Sequence, residues 1–298
     1  MTELLALDLK AGVIHAVSLD GRRVRTVVDG LDQAPDGIVV DQLRGHIYWT
    51  NMGRPDPGTA PGIEPEFFTR NGSVERVDLD GGNRTVLVPP GAFTTGKQLT
   101  ADFEAGRLYW CDREGMAVLS CDLSGGDLRR LVVTGAGEAD ARIARNWCVG
   151  ICVDPDRRQV YWTQKGAAKA GDGRIFRAPL DLPPGTDPAA RTDIELLWSD
   201  LPEPIDLELH DGTLLWTDRG AEPAGNALYR AEVRPEPGPP SILSRGYREA
   251  IGLAGFDSRF FVSDLGGSIR AVDTAAGTDT TLVRLGSPLT GLALADLP

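Results

Sequence analysis

Three ionisable residues, Asp36, Lys97 and Asp206, stand at the beginnings of short apolar runs that recur along the chain. A lysine near carboxylates in a confined space is coupled to them, and such coupling tunes a proton donor or acceptor. These three are the candidate catalytic residues. Gln98 directly follows Lys97, and Glu208 lies two residues beyond Asp206, on the same face of an extended strand. Asn146 and Trp147 precede the run that starts at Val149, and Glu249 precedes the one at Ile251. These five are candidate ligand contacts, with Trp147 offering a flat apolar wall for a ring-shaped molecule. The chemistry this set suits is acid/base work on a small molecule, as in a hydrolase, lyase or isomerase. The histidines His15, His46 and His210 fall in or beside strands of different units, so no Ser-His-Asp or Cys-His set assembles. Gly135-Ala136-Gly137 lacks the strand-to-helix context of a nucleotide fingerprint, and no nicotinamide or flavin is expected.

The elements that hold these residues are read from a repeat. Tyr48-Trp49-Thr50-Asn51 returns as Tyr109-Trp110-Cys111-Asp112, Tyr161-Trp162-Thr163-Gln164, Leu215-Trp216-Thr217-Asp218 and Phe261-Val262-Ser263-Asp264. A weaker copy, Leu5-Ala6-Leu7-Asp8, opens the chain. Around each copy lie four extended segments, A to D. In the second unit they are Gly37 to Asp41, His46 to Asn51, Gly72 to Leu79 and Arg84 to Val88. Continuous apolar runs read as buried strands, alternating runs as half-buried ones, and Gly/Asp/Asn clusters as the turns between them. The first unit has B, C and D segments but no A. The last segment, Thr290 to Leu294, is an A strand with no unit of its own. Pairing the two closes a ring and removes two exposed sheet edges. Six four-stranded units at a period of about 45 residues or more predict an all-β, six-bladed β-propeller. Residues 1–298 form a single domain on this reading, because no linker interrupts the repeat.

Composition sets outer bounds. The chain has 298 residues, 41% of them hydrophobic, with 36 Gly and 21 Pro, which suits many short strands and turns. Its net charge of -12 disfavours a nucleic-acid partner. No apolar run of membrane-spanning length occurs, so no membrane partner is expected. The N-terminus lacks a basic n-region, and no signal peptide is read there. Cys148 and Cys152 lie on one strand, separated by roughly 13 Å at about 3.3 Å per residue, too far for a disulfide. With Cys111 and Cys121 they read as buried free thiols, which makes the cytoplasm the expected location.

With these motifs in place, the chain resembles the YWTD-repeat β-propellers, the class B repeats of lipoprotein receptors. The resemblance covers nearly the whole chain and is most specific at 48–51, 109–112 and 215–218. It implies that the aromatic pair packs between neighbouring blades. It also implies that Asn51, Asp112, Asp218 and Asp264 are architectural and hydrogen-bond toward the adjacent blade. Receptor members are extracellular and flanked by cysteine-rich modules, features not read here, so their ligand-binding role is not carried over. The chain is also similar to a wider six-bladed group of gluconolactonases, regucalcin-like lactonases and strictosidine-synthase-like enzymes. Lactonase-type relatives hold a divalent cation with a Glu, an Asn and an Asp from three A-strand starts. Only Asp36, in Ala34-Pro35-Asp36-Gly37, matches that pattern; Asn146 is displaced upstream of Val149-Gly150, and Leu289-Thr290 supplies no Glu. Asp206 and Glu208 are substitute oxygen ligands for calcium or magnesium. The expectation is therefore no metal and no cofactor, with a divalent cation on Asp36 and Asp206 as the alternative.

In a blade, the D-to-A and B-to-C connections share one face, the top, and here they are mostly long: Met52 to Asn71, Pro89 to Lys97, Thr134 to Val149, Lys165 to Gly173, Ser199 to Ile205 and Arg219 to Asn226. Long loops in compact domains are commonly functional. The top of the central channel is the expected small-molecule site. A metal-dependent lactonase-like hydrolase and a scaffold that binds a protein through these loops are the alternatives.

Overall fold

The structure, a computed structural model, describes residues 1–58, 65–233 and 236–298. Of the long connections anticipated above, residues 59–64 of Met52 to Asn71 lie outside the described residues. Six four-stranded antiparallel sheets form the blades. Blade 2 consists of Pro35–Asp41, His46–Asn51, Ser73–Asp78 and Thr85–Val88, strands A to D from channel to rim. Its A-to-B turn is closed by Asp41, whose side chain accepts from Arg44 N, while Gly45 takes the positive φ of 75° that the turn needs. Asp102 and Asp154 repeat this role in blades 3 and 4.

The ring closes as the orphan strands predict. Leu289–Asp296 pairs antiparallel with Thr2–Asp8, Leu4 opposite Leu294 and Ala6 opposite Leu292. No sheet edge is left at the seam between the chain's ends.

Alternation along the B strands explains the aromatic pair. Successive side chains point to opposite faces of a sheet. Trp49 faces blade 1 and packs with Leu5, Leu7 and Ile14, while Tyr48 faces blade 3 and packs with Leu108 and Trp110. Tyr109 and Trp162 share the next interface, and Tyr161 and Trp216 the one after. The core is thus distributed between blades. Truncating any of these tryptophans to alanine would cost about 3–5 kcal/mol.

The terminal residue of the motif is architectural, as the resemblance implies, but its bonds run elsewhere. Asp112 accepts from Thr94 N and Thr95 N, and Asp218 from Glu203 N, all in segments entering the same blade's A strand. Asp264 accepts from Arg248 N and Ser268 N, and Asn51 donates to Ser73 and Glu75 of its own C strand. The bond to the adjacent blade is made one residue earlier, by the hydroxyl. Thr50 Oγ1 accepts from Gly37 N at 2.9 Å and donates to Lys97 O at 2.6 Å. Thr163, Thr217 and Ser263 do the same for Gly150 and Ile205, Asp206 and Ile251, and Gly252 and Thr290.

These hydroxyls answer a defect in the ladder. Every A strand carries a bulge at the same place: Pro35 to Ile38 opposes Asn51 to Trp49, and the other five blades repeat the offset. A bulge leaves a backbone N–H without a ladder partner and re-aims side chains. In blades 2, 4, 5 and 6 the threonine or serine hydroxyl satisfies that N–H. The re-aimed side chains form the channel.

Candidate functional site

The bulges place two levels of side chains around the channel. The first bulge residue is Asp36, Lys97, Val149, Ile205, Ile251 and Thr290 in blades 2 to 6 and 1. All six line a cavity of about 880 Å³ on the top side. Above them stands a second ring, formed by the residue that follows each motif: Leu9, Met52, Arg113, Lys165, Arg219 and Leu265. All six line the same cavity. The next bulge residue is Gly37, Gln98, Gly150, Asp206, Gly252 and Gly291. Four of these are glycine because a Cβ would strike the neighbouring A strand. At Gly150 it would stand 1.8 Å from Ile205 O, and at Gly252 2.2 Å from Thr290 O. Gln98 and Asp206 instead run below, into a second chamber of about 340 Å³.

The upper cavity brings together Asp36 and Lys97. Lys97 Nζ donates to Asp36 Oδ1 at 2.6 Å and lies 3.3 Å from Met52 Sδ. Asp36 is 1% exposed and Lys97 8%. Asp36 Oδ2 has no partner among the described residues. Burial holds the Lys97 amine below its ordinary value, against the opposing charge of Asp36. Glu249 also lines this cavity. It lies 3.4 Å from Lys169 Nζ and 3.8 Å from Arg219, on a backbone turned to φ 61° and fixed by its N–H to Asn226 Oδ1.

Other candidates fall elsewhere. Asp206 faces the lower chamber, its two oxygens accepting from Leu207 N and Leu253 N at 2.9 Å each. Burial pushes its carboxyl well above the usual range. Glu208, on the same strand and in the same chamber, accepts from Gly255 N, and burial pushes it up to about 7. Gln98 joins them there, its Nε2 without a partner among the described residues. Asn146 braces the loop above blade 4: its Nδ2 donates to Asp140 O and its carbonyl accepts from Thr134. Trp147 donates through Nε1 to Ala141 O, and its ring lies under Arg113 at 5.1 Å and Lys165 Nζ at 5.4 Å. Trp147 thus backs two cavity-lining cations and is not itself part of the cavity wall. Asp36 and Asp206 open into different spaces. No group of three or more His, Cys, Asp or Glu gathers among the described residues.

The cationic arc of Arg113, Lys165 and Arg219 escaped the sequence reading. Its signal is the position after each motif, where blades 3 to 5 carry a cation and blades 6, 1 and 2 carry Leu265, Leu9 and Met52. Glu203 organises two of these cations. Its Oε1 accepts from Lys165 Nζ at 3.1 Å and Arg219 Nε at 2.7 Å, and its Oε2 accepts from Lys169 N. Asp218, the motif's last residue, fixes the Glu203 backbone. Arg113 is held by Glu114 Oε1 at 2.7 Å. Charges this deeply buried carry a desolvation cost and persist when paired; their concentration in this cavity wall makes it the candidate site.

Comparison with known proteins agrees with this architecture. The chain is 42% identical over 304 residues to a low-density lipoprotein receptor-related protein 1 of Pyricularia oryzae, covering 97% of this chain and 94% of that protein. It is 39% identical over 280 residues to the 3-hydroxyacyl-CoA dehydrogenase-like protein LAM1 of Cochliobolus heterostrophus. That match covers 88% of this chain and spans 56% of LAM1, little more than half its length. A chain of the crystal structure of a nidogen/laminin complex shares the fold, with a TM-score of 0.75, 20% identity and 99% coverage of both chains. No family model matches. From the repeat, the closed six-bladed ring and the near full-length relative, the chain belongs to the low-density lipoprotein receptor-related, YWTD-repeat family of β-propellers.

Proposed function

We propose that the upper cavity binds a small organic molecule and that Lys97, paired with Asp36, moves a proton on it. The observation that carries this reading is the Asp36–Lys97 pair itself. It is buried in the wall of a cavity of about 880 Å³, in the size range of small-molecule sites. Burial makes the neutral amine of Lys97 more accessible, and Asp36 stabilises the protonated form, so the pair can take up and release a proton in turn. Asp206 and Glu208 have no part in that step, because they face the chamber below.

The test is a screen of small acids, alcohols, esters and lactones by turnover and by thermal shift. A true substrate loses about 10²- to 10⁴-fold in turnover in Lys97→Met and Asp36→Asn while still shifting the melting temperature. Turnover unchanged in both variants contradicts the proposal. A metal-assisted hydrolase has less support, since its two candidate aspartates open into separate spaces.

A second reading, a protein-binding top face, draws on the receptor-related name of the near full-length relative and on a fold shared with a chain of a nidogen/laminin complex. Ile143, half exposed at 49% on the loop above blade 4, and Arg142 stacked on Phe68 at 4.6 Å lie on that face. Deleting 52–71 abolishes capture of a stoichiometric partner if this reading holds, and leaves it intact if it fails.

A further inference from the structure

We infer that Lys97 forms an imine with small apolar aldehydes and ketones that enter the upper cavity. The inference rests on the reading of that cavity as a small-molecule site and names the substrate class and the bond formed. Its ground is the division of the channel ring at the first bulge residue. Blades 1 to 3 place Thr290, Asp36 and Lys97 there, and blades 4 to 6 place Val149, Ile205 and Ile251, which pack together as an apolar patch. A molecule filling this space meets the Lys97 amine on one side and hydrocarbon on the other. The remaining cations of the wall are matched by acids, Arg113 by Glu114 and both Lys165 and Arg219 by Glu203, so the wall favours a neutral ligand over a charged one.

Lys97 has the surroundings of a nucleophilic amine. The neutral amine attacks a carbonyl, and a lysine supplies it when buried or set beside other cations. Lys97 is buried, burial holds its amine below the ordinary value, and like charge from Arg113 and Arg219 acts in the same direction. Asp36 is the proton carrier: its Oδ1 accepts from Nζ at 2.6 Å, and its Oδ2 has no partner among the described residues. Asp36 takes one proton from the ammonium, and the freed lone pair forms the N–C bond as the C=O π bond opens. That proton passes to the carbonyl oxygen, giving a carbinolamine. A second proton follows the same route from nitrogen to the hydroxyl, the C–O bond breaks and water leaves. The protonated imine keeps the charge that the ammonium brought, and nothing is oxidised or reduced.

The test traps the imine. The wild-type chain is incubated at neutral pH with cyclohexanone, and separately with hexanal, in the presence of sodium cyanoborohydride, which reduces an imine to a stable secondary amine. Peptide mass mapping then locates any gain of the probe's mass less one oxygen. The chain's lysines are Lys10, Lys97, Lys165 and Lys169, of which Lys10 and Lys169 are exposed. Lys97 is expected to carry at least about ten times the label of Lys10 or Lys169, because the cavity holds the carbonyl beside its amine. Unfolding the chain in urea should abolish that preference. Label no greater on Lys97 than on the exposed lysines, or a preference that persists in urea, overturns the imine. Label centred on Lys165, which lines the same cavity, overturns the assignment to Lys97. Lys97-dependent turnover in the screen above, without trapping, overturns the imine and leaves the cavity reading standing; loss of both overturns both.

Discussion

The upper cavity and the lower chamber are built by the same six strands, one residue apart, yet their chemistry is opposite. Above, Asp36, Glu203 and Glu114 are matched by Lys97, Lys165, Arg219 and Arg113 in contacts of 2.6 to 3.1 Å. Below, Asp206 and Glu208 accept only from backbone N–H groups among the described residues, and burial pushes both carboxyls upward. The difference traces to the bulge. Its first residue lines the upper cavity and differs widely in type, from Asp36 and Lys97 to Val149 and Thr290. Its second residue abuts the neighbouring strand, which restricts four blades to glycine. Variation is therefore permitted at one level and largely forbidden at the next, and the proposed binding site lies where variation is permitted.

The largest expected effect comes from breaking the charge matching above. Lys97→Met leaves Asp36 buried without its cation and should cost about 3–5 kcal/mol in chemical denaturation. Adding Asp36→Leu should recover most of that loss, since an apolar pair of similar volume needs no desolvation. A double variant as unstable as the single one would show that the pair's worth lies elsewhere.

Next is the steric limit between the levels. Gly150→Ala forces a Cβ against Ile205 O and should destabilise by about 1–3 kcal/mol or more, whereas Val149→Ala, facing the cavity, should cost less. The hydroxyls that satisfy the bulges rank beside this. Thr217→Val leaves Asp206 N and Ile251 O without their partner and should cost about 1–3 kcal/mol, read from urea melts.

A last effect is the pH dependence that Glu208 adds from the lower chamber, beside that of the motif acids Asp112 and Asp218, which burial also raises. Glu208 sits at about 7 in the fold and near ~4.3 when unfolded. Its protonated form therefore contributes stability that is complete below the unfolded value and is lost as pH rises through about 7. Glu208→Gln should remove this dependence, so that its melting temperature gains on the wild type between pH 4.5 and 7.5. Parallel curves for the two proteins would place Glu208 in water at its ordinary value.

Much of the fold was legible because it repeats. The aromatic pair stands whole in blades 2 to 4 and in weaker copies elsewhere, short A-to-B turns recur with it, and ring closure follows from the unpaired first and last units. The site was legible only in part. Asp36 and Lys97 stood out at strand starts, and both reach the upper cavity. Asp206 stands one residue later in its blade, and a one-residue offset at a bulge sends its side chain below. No period-two reading of a strand reveals that offset, because the bulge breaks the period. Arg113, Lys165 and Arg219 read as the beginnings of loops. Their convergence depends on the ring's curvature, which brings the ends of six B strands to one opening. The inter-blade bond was assigned to the acid of the motif, whereas the bulge makes the threonine the residue within reach.

The central claim is that ligand binds where the bulge's first residues and the post-motif residues meet. Its most direct test is a crystal of the wild-type chain soaked with a mixed set of small organic acids, alcohols and amines. The account predicts density in the upper cavity, in contact with Lys97. Density confined to the lower chamber or the outer rim, with the upper cavity empty at saturating concentration, would contradict it.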